Sequence, residues 1–577
     1  MRPYFETMQA LGKPLSLRQI SGSADNARQI GEVEALLAAE EANVQAAGLP
    51  EAVVNERGQL TVWQRVEFLV DPGTWSPLHS LYNPKDNPYG TTGVVDGLGR
   101  ISGRWAVIIG FDNKVLAGAW VAGQAENILR VTDLAKRLNI PLVWLVNGSG
   151  VDLPNQELVY PDRRGNGATF FRHAELQQRG VPILAAIYGT NPAGGGHQAI
   201  SPTVLFAHKD ANMAVGGWGI ASGMSPKGSF GEEGCEALIE ATRRFQEVRP
   251  GGVEIHRDAT GFFRHVYDTE QEVLSGVREY LREVPSYPPR FFRVTEPRPP
   301  RYPPEELDRI VPFSPKRTYP VEEVVARLVD GSEHLEFRPG YGPEVYCGLA
   351  VVDGFPVALV ANRQGPLRPG YPEDADAPGI GGKLYRQGLV KMNEFVTLCG
   401  RDRLPIAWIQ DTTGLDVGDA AERAELLGLG QALVYSIQQT DVPMLCVVLR
   451  KGSVAGHYVM GGPQANGHNA LTLGTPVTEI CVLPGETAAA AHYARQLVKE
   501  RDAGRSIAPV MERMTALKDK IERNSRPLRC AQKGYVDQVV GLPRLRDYLV
   551  AFAGAAYQNP RSFCPAHQMI LPRAIRG

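Results

Sequence analysis

Apolar positions along the chain fall into short buried-looking runs and longer stretches of helical spacing, and the same succession occurs twice. In the first half, Gly93-Val-Val-Asp-Gly97 leads into the strand-like Trp105-Ala-Val-Ile-Ile109. In the second, Gly348-Leu-Ala-Val-Val-Asp-Gly354 leads into Pro356-Val-Ala-Leu-Val360. Each is followed by a glycine-containing loop and a stretch with one apolar face. Ile128, Leu129, Val131, Leu134 and Leu138 predict a helix over 126–138, and Leu389, Met392, Phe395, Val396 and Cys399 predict one over 384–399. A buried strand then ends in a polar, glycine-bearing turn: Ile140 to Val146 before Asn147-Gly-Ser-Gly150-Val151, and Leu404 to Ile409 before Gln410-Asp-Thr-Thr-Gly414-Leu415. A further helix and a second buried strand close each unit, Val181–Tyr188 running into Asn191-Pro-Ala-Gly-Gly-Gly-His197 and Val442–Leu449 into Lys451-Gly-Ser-Val-Ala-Gly-His457. Gly150 precedes Gly194 by 44 positions and Gly414 precedes Ala455 by 41. Five matched features in one order predict a tandem duplication of an α/β domain, with mostly parallel sheets covered by helices.

Between Pro285 and Pro304, eight prolines fall within twenty residues. Missing amide donors at that density exclude helix and central strand, so the segment predicts a stiff linker. It divides the chain into domains at 1–295 and 296–577. Composition narrows the partners. Lys+Arg 61 against Asp+Glu 63 gives a net charge of -2, with no basic stripe to follow a phosphate backbone, so nucleic acid is excluded as a partner. The apolar runs are far shorter than the ~18 residues that span a bilayer. The N-terminus lacks the basic head and apolar stretch of a signal peptide, which predicts a cytoplasmic protein. Seven cysteines, scattered and without a C-x-x-C pair, predict reduced thiols and neither a disulfide framework nor a zinc site.

The candidate chemistry lies in the two glycine turns. Small residues after a buried strand and before a helix let a ligand approach unpaired backbone amides, which favour developing negative charge. Neither a P-loop nor a G-x-G-x-x-G pattern occurs there, which weakens a nucleotide reading. If the neighbouring strand end is adjacent in space, an amide from Val151 and one from Gly194 or Gly195 converge on one oxygen and form an oxyanion hole. The second half supplies Leu415 with Ala455 or Gly456. Two such holes fit a reaction in which two carbonyls gain charge, as when a carboxyl group moves between an acyl thioester and the ureido ring of biotin.

Long motifs support a family resemblance: Tyr188 to His197, Ala214-Val-Gly-Gly-Trp-Gly-Ile-Ala-Ser-Gly-Met-Ser-Pro-Lys-Gly228, Gly379 to Glu394, Gln410 to Asp419 and Arg450 to Pro463. On these the chain resembles, over nearly its whole length, the carboxyltransferase subunits of biotin-dependent enzymes in the crotonase superfamily, nearest the branch that decarboxylates glutaconyl-CoA. The resemblance implies a crotonase-like fold in two copies. It implies transfer of the terminal carboxyl of glutaconyl-CoA to biotin carried by another protein, leaving crotonyl-CoA, with coenzyme A entering as part of the substrate. It further implies a biotin carrier subunit, a membrane sodium-pump subunit that holds the protein at the inner face of the membrane, and a homodimer or higher oligomer. By the family pattern Val151, Gly194 and Gly195 serve the acyl-CoA. Leu415, Ala455 and Gly456 serve biotin, with Gly414, Val454 and His457 as cofactor-binding neighbours. Acyl-CoA carboxylase beta subunits usually carry Gly-Gly where this chain has Val454-Ala455, which leaves the register of the second hole open by one residue.

Other readings carry less. The chain has no Ala-Met-Lys-Met biotin attachment site, and Val390-Lys391-Met392 falls within an amphipathic helix, so biotin must arrive on a partner. No H-E-x-x-H occurs and no metal site is expected. His197 and His457 occupy matching places after the two turns, where capping or packing competes with proton transfer. Asp411 and Asp416 could form a carboxylate pair but are more ordinary as solvated or capping groups. Arg450 and Lys451 could hold a carboxylate or CoA phosphates, or simply face solvent. Alternatives for the whole chain are the beta subunit of an acyl-CoA carboxylase and a non-catalytic CoA-binding scaffold.

Overall fold

Two antiparallel hairpins open the two repeats, each formed where an Asp-Gly or Ser-Gly pair takes the left-handed backbone that a tight turn requires: Ser102-Gly103 joins Val94–Ile101 to Arg104–Phe111, and Asp353-Gly354 joins Val345–Val352 to Phe355–Asn362. The computed structural model describes residues 7–159, 165, 167–200, 202, 204–216, 218–224, 231–248, 251–283, 291–367, 379–463 and 465–558. The chain divides into two compact units, one comprising Glu41–Pro289 with Ala555–Gly577, the other Met1–Glu40 with Arg290–Gly554.

In the unit built around 41–289, a seven-stranded sheet follows the hairpin with parallel strands Leu142–Val146, Ile183–Ile187, Val204–His208 and His265–Tyr267, while Ser76–Leu78 adds antiparallel at the other edge. The crossover helix Gln124–Leu138 buries all five apolar positions that its spacing marked. It ends on Asn139 in the left-handed conformation. On the core formed with helices Val62–Leu69 and Glu270–Glu283, Val66, Leu69, Val273 and Val277 pack with Ile108, Val143 and Leu184 of the sheet. Each fully buried aliphatic side chain contributes about 2 kcal/mol.

The unit built around 290–554 repeats the plan. After the hairpin, Ile406–Thr412, Met444–Ser453, Asn469–Gly474 and Gln538–Val539 continue the sheet in parallel, and Glu333–Glu336 and Gln9–Ala10 extend its other edge. Helices Arg386–Asp402 and Leu426–Thr440 cover it through Leu389, Met392, Phe395, Leu433 and Ile437. The expected fold class, mostly parallel sheets covered by helices and present twice, is the one observed.

The division of the chain differs from a single cut at 295/296. It falls between Pro289 and Arg290, and both termini are exchanged. The amino-terminal segment belongs with the second repeat because Asn26 Nδ2 donates to the carbonyls of Asp308 and Val311, at 2.7 and 2.9 Å, and Gln9–Ala10 pairs with Glu333–His334. At the other terminus, Gln558 and Trp105 exchange hydrogen bonds through the Gln558 amide and the Trp105 backbone. Such contacts between residues remote in sequence leave no local pattern. Pro285, Pro288 and Pro289 of the proline-rich segment lie outside the described residues. The remainder is strapped to its unit: Val294 N–H donates to Gly354 O at 2.8 Å, Arg301 N–H to Ser332 Oγ at 2.9 Å, and Pro299 O accepts from Gly331 N–H at 3.0 Å.

Candidate functional site

At the end of strand Leu142–Val146 the chain passes through Gly150, whose φ of 107° admits only glycine without strain, into Val151. Val151 forms a parallel bridge with Trp120: Trp120 N–H donates to Gly150 O at 2.7 Å, and Asp152 N–H to Trp120 O at 3.0 Å. Backbone amides alternate sides along such a bridge, so the intervening Val151 N–H points away from Trp120. The neighbouring strand leads through Thr190–Pro192 to Ala193, left-handed at φ 50°, and then into helix Gly194–Ile200. His197 N–H closes the first turn on Ala193 O, so the Gly194, Gly195 and Gly196 amides have no acceptor within the helix. The two segments touch. A Cβ at Gly195 would sit 2.6 Å from Gly148 O, and one at Gly194 2.6 Å from the Trp120 ring. Asn191 fixes the junction, accepting from Gly148 N–H at 2.7 Å while its amide donates to Tyr188 O and Asn212 O.

The second repeat reproduces this backbone. Gly414 has φ 116°, Leu384 N–H donates to Gly414 O at 3.0 Å, and Asp416 N–H donates to Leu384 O at 3.0 Å, which turns the Leu415 N–H the other way. Strand Met444–Ser453 enters helix Val454–Val459 through Val454, again left-handed at φ 51°. A Cβ at Gly456 would lie 2.8 Å from the Gly414 Cα, and one at Gly414 would lie 3.4 Å from Val454 Cγ2.

These matched features set the register of the second turn. Pro192 pairs with Ala214 and Ser453 with Cys481, each as the last paired residue before the left-handed one. Ala193 therefore corresponds to Val454, Gly194 to Ala455 and Gly195 to Gly456. Matching the histidines to each other is one residue out: His197 corresponds to Tyr458, and His457 to Gly196. The environments agree with that. His197 is exposed, its ring 5.4 Å from that of Phe170. His457 is 7% exposed, its Nδ1–H donating to Gln410 Oε1 at 2.8 Å, and desolvation pushes its pKa down to about 4. Gln410 Nε2 in turn donates to the carbonyls of His457 and Met460. Gly414 and Val454 thus come together at the turn, whereas the imidazole of His457 packs into the core behind it.

The charged candidates are structural. Asp411 is 1% exposed and accepts from Arg450 Nε at 2.8 Å, Tyr319 OH at 3.0 Å and Lys451 N–H at 3.3 Å. Asp416 pairs instead with Lys383 at 2.7 Å. The two carboxylates therefore do not act as a pair, and Arg450 is buried on Asp411. Lys451 Nζ donates to Pro315 O. Among the described residues no group of three or more His, Cys, Asp or Glu is placed to hold a metal, and no helix is long and apolar enough to cross a membrane. The clamping role of Trp120 and Leu384 has no motif in the sequence. Their signal was positional: each stands shortly before the first crossover helix of its repeat.

Residues 53–570 match the carboxyl transferase domain family. The chain is 53% identical over 579 residues to glutaconyl-CoA decarboxylase subunit alpha of Acidaminococcus fermentans, a match covering all of this chain and 98% of that one. It is 31% identical over 438 residues to the biotin-dependent 3-methylcrotonyl-coenzyme A carboxylase beta1 subunit of Mycobacterium tuberculosis, covering 75% and 76% of the two chains. Among solved structures, the beta subunit of geranyl-CoA carboxylase from P. aeruginosa shares the fold, with a TM-score of 0.76, 22% identity and coverage of 96% and 98%. The twin strand-to-helix turns thus sit in a chain that belongs to the carboxyl transferase domain family.

Proposed function

We propose that the protein is the carboxyltransferase subunit of a biotin-dependent decarboxylase, moving the terminal carboxyl of glutaconyl-CoA to biotin and releasing crotonyl-CoA. The observation that carries this is the pair of matching turns, each with a clamped outward amide (Val151, Leu415) beside the opening amides of a short helix (Gly194 and Gly195, Ala455 and Gly456). The 53% identity to glutaconyl-CoA decarboxylase subunit alpha supports the choice of acyl group.

Breaking the bond to the terminal carboxyl leaves an electron pair conjugated through the double bond to the thioester oxygen. Val151 N–H with Gly194 or Gly195 N–H stabilises that oxygen where the charge develops, each donor contributing on the order of 3 kcal/mol to the transition state. Biotin supplies the ureido nitrogen that receives the carboxyl and the proton that replaces it on the acyl chain. Leu415 N–H with Ala455 or Gly456 N–H serves the ureido oxygen in the same manner, and Gly414 and Val454 shape that turn. No side-chain acid or base is required. Biotin arrives on a carrier subunit, a membrane sodium-pump subunit completes the complex, and the chain works as a homodimer or higher oligomer. The test is turnover by the purified protein: glutaconyl-CoA is decarboxylated when free biotin is added and not without it. Rapid turnover in the absence of biotin overturns the reading.

A further inference from the structure

Helix Arg386–Asp402 begins beside the second turn with an unusual cap. Its first residues offer no capping side chain: Tyr385 stands at the N-cap position and Gly388 at the third helical position, where a glutamate or glutamine would normally reach back. Both backbone amides are instead taken by Glu344, just ahead of strand Val345–Val352. Its Oε1 accepts from Tyr385 N–H at 3.2 Å and Gly388 N–H at 2.9 Å. Gly388 is required by this arrangement, because a Cβ there would overlap Glu344 Oε1. Glu344 is fully buried, and its Oε2 has no hydrogen-bond partner among the described residues.

We infer that Glu344 is a positioning residue for the second turn, holding Tyr385 and thereby the adjoining Leu384, whose two backbone hydrogen bonds aim the Leu415 amide. This rests on the assignment of that turn to biotin. The mechanical chain is short. Glu344 grips Tyr385 N–H, the next residue back is Leu384, and Leu384 exchanges hydrogen bonds with Gly414 and Asp416 on either side of Leu415. In the first repeat the residues flanking Trp120 are gripped by amide side chains, Asn87 Nδ2 donating to Ala122 O at 2.9 Å and Gln124 Nε2 to Ala119 O at 3.3 Å, while the Asp152 carboxylate accepts from Tyr89 OH and Asn155 Nδ2, both at 2.8 Å.

The grip on Tyr385 and Gly388 is thus a carboxylate, where the residues flanking Trp120 are gripped by amides. Around Glu344 stand Lys391 and Tyr385 on the helix side and Cys347 on the strand, with Glu336 and Arg363 behind them, paired at 2.8 Å. Desolvation raises Glu344 to about 7 and pushes Tyr385 and Cys347 up to about 12, while burial lowers Lys391. An ionised carboxylate is the stronger acceptor for the two amides, so the clamp tightens as pH rises through 7.

The experiment compares wild type with Glu344→Gln, which keeps one acceptor oxygen but cannot ionise, and with Glu344→Ala, which has none. For wild type, KM for free biotin should fall about threefold from pH 6 to pH 8, the size expected for strengthening one hydrogen bond. Glu344→Gln should hold the pH 6 value throughout, with KM for glutaconyl-CoA matching wild type at each pH. Hydrogen exchange at the Leu384 and Asp416 amides should be faster in Glu344→Ala, and this readout needs no turnover. The inference is overturned if Glu344→Gln reproduces the wild-type pH profile, or if exchange at those two amides is unchanged in folded Glu344→Ala. Should Glu344→Ala not fold, the Glu344→Gln profile decides. If wild type shows no biotin-dependent turnover, the functional reading fails while hydrogen exchange still decides the positioning role.

Discussion

The two strand-to-helix turns share one backbone and differ in what holds it. Around Val151 the supports are mostly neutral amides: Asn191 ties Gly148 to Tyr188 and Asn212, Asn87 and Gln124 hold the residues flanking Trp120, and the Asp152 carboxylate is held by Tyr89 and Asn155. Around Leu415 they are charged or chargeable: the Asp411–Arg450 pair at 2.8 Å lies under the strand ends, Lys383–Asp416 flanks the turn, and Glu344 holds the clamp. Backbone donors impose little on side-chain identity, so the duplicated halves kept the donors and diverged in their scaffolding. The second turn should accordingly respond to pH and to charge-removing substitutions that leave the first untouched.

The largest expected effect strikes both turns equally. Gly195→Pro or Ala455→Pro removes one amide donor and should each lower the carboxyl-transfer rate by about 10²-fold or more, because oxyanion donors act on the transition state. Transfer requires both reactants within a few ångströms. If each transfer uses the first turn of one chain and the second turn of another, mixing the two inactive variants restores activity through one intact site of two. Persistent inactivity of folded, demonstrably exchanging subunits defeats that proposal.

Next in size is the charged scaffold. Asp411→Ala leaves Arg450 buried without its partner and should destabilise the unit by about 3–5 kcal/mol. Asn191→Ala, which removes neutral hydrogen bonds, should cost about 1–3 kcal/mol. Chemical denaturation measures both, and an equal loss would erase the contrast between the turns.

A third pair of substitutions concerns acid. Desolvation depresses both His173 in the first repeat and His457 in the second to about 4. Each is neutral in the fold and binds a proton more readily when unfolded. Stability present above the ordinary histidine range is therefore lost as pH falls from about 6.5 towards 4, by about 3 kcal/mol per residue. Replacing His173 with Phe, or His457 with Gln, should flatten its share of the acid limb in denaturation midpoints taken between pH 7 and pH 4. A limb unchanged in either variant removes that histidine from the account. The smallest expected effect is none at all: EDTA should leave decarboxylation intact, and a loss restored by one particular metal would show that a metal site had been missed.

The sequence by itself determined what depends on local periodicity and on repetition. The strand runs at Trp105–Ile109 and Pro356–Val360, the crossover helices with their apolar faces, and the glycine turns at Gly150 and Gly414 were legible because side-chain alternation and helical spacing are imposed over a few residues, and because a duplicated domain states each feature twice. The hairpin turn of the first repeat was not, since Asp96-Gly97, the apparent match to Asp353-Gly354, lies inside strand Val94–Ile101 and the turn falls at Ser102-Gly103. The tertiary structure alone decided the rest. The register of the second turn emerged from strand pairing and from the left-handed Ala193 and Val454, not from the tempting alignment of His197 with His457. The hold of Glu344 on Tyr385 and Gly388 spans more than forty residues, and the terminal segments join units far from their neighbours in sequence. Hydrogen bonds and burial between remote residues arise only when the sheets close. No periodicity along the chain records them.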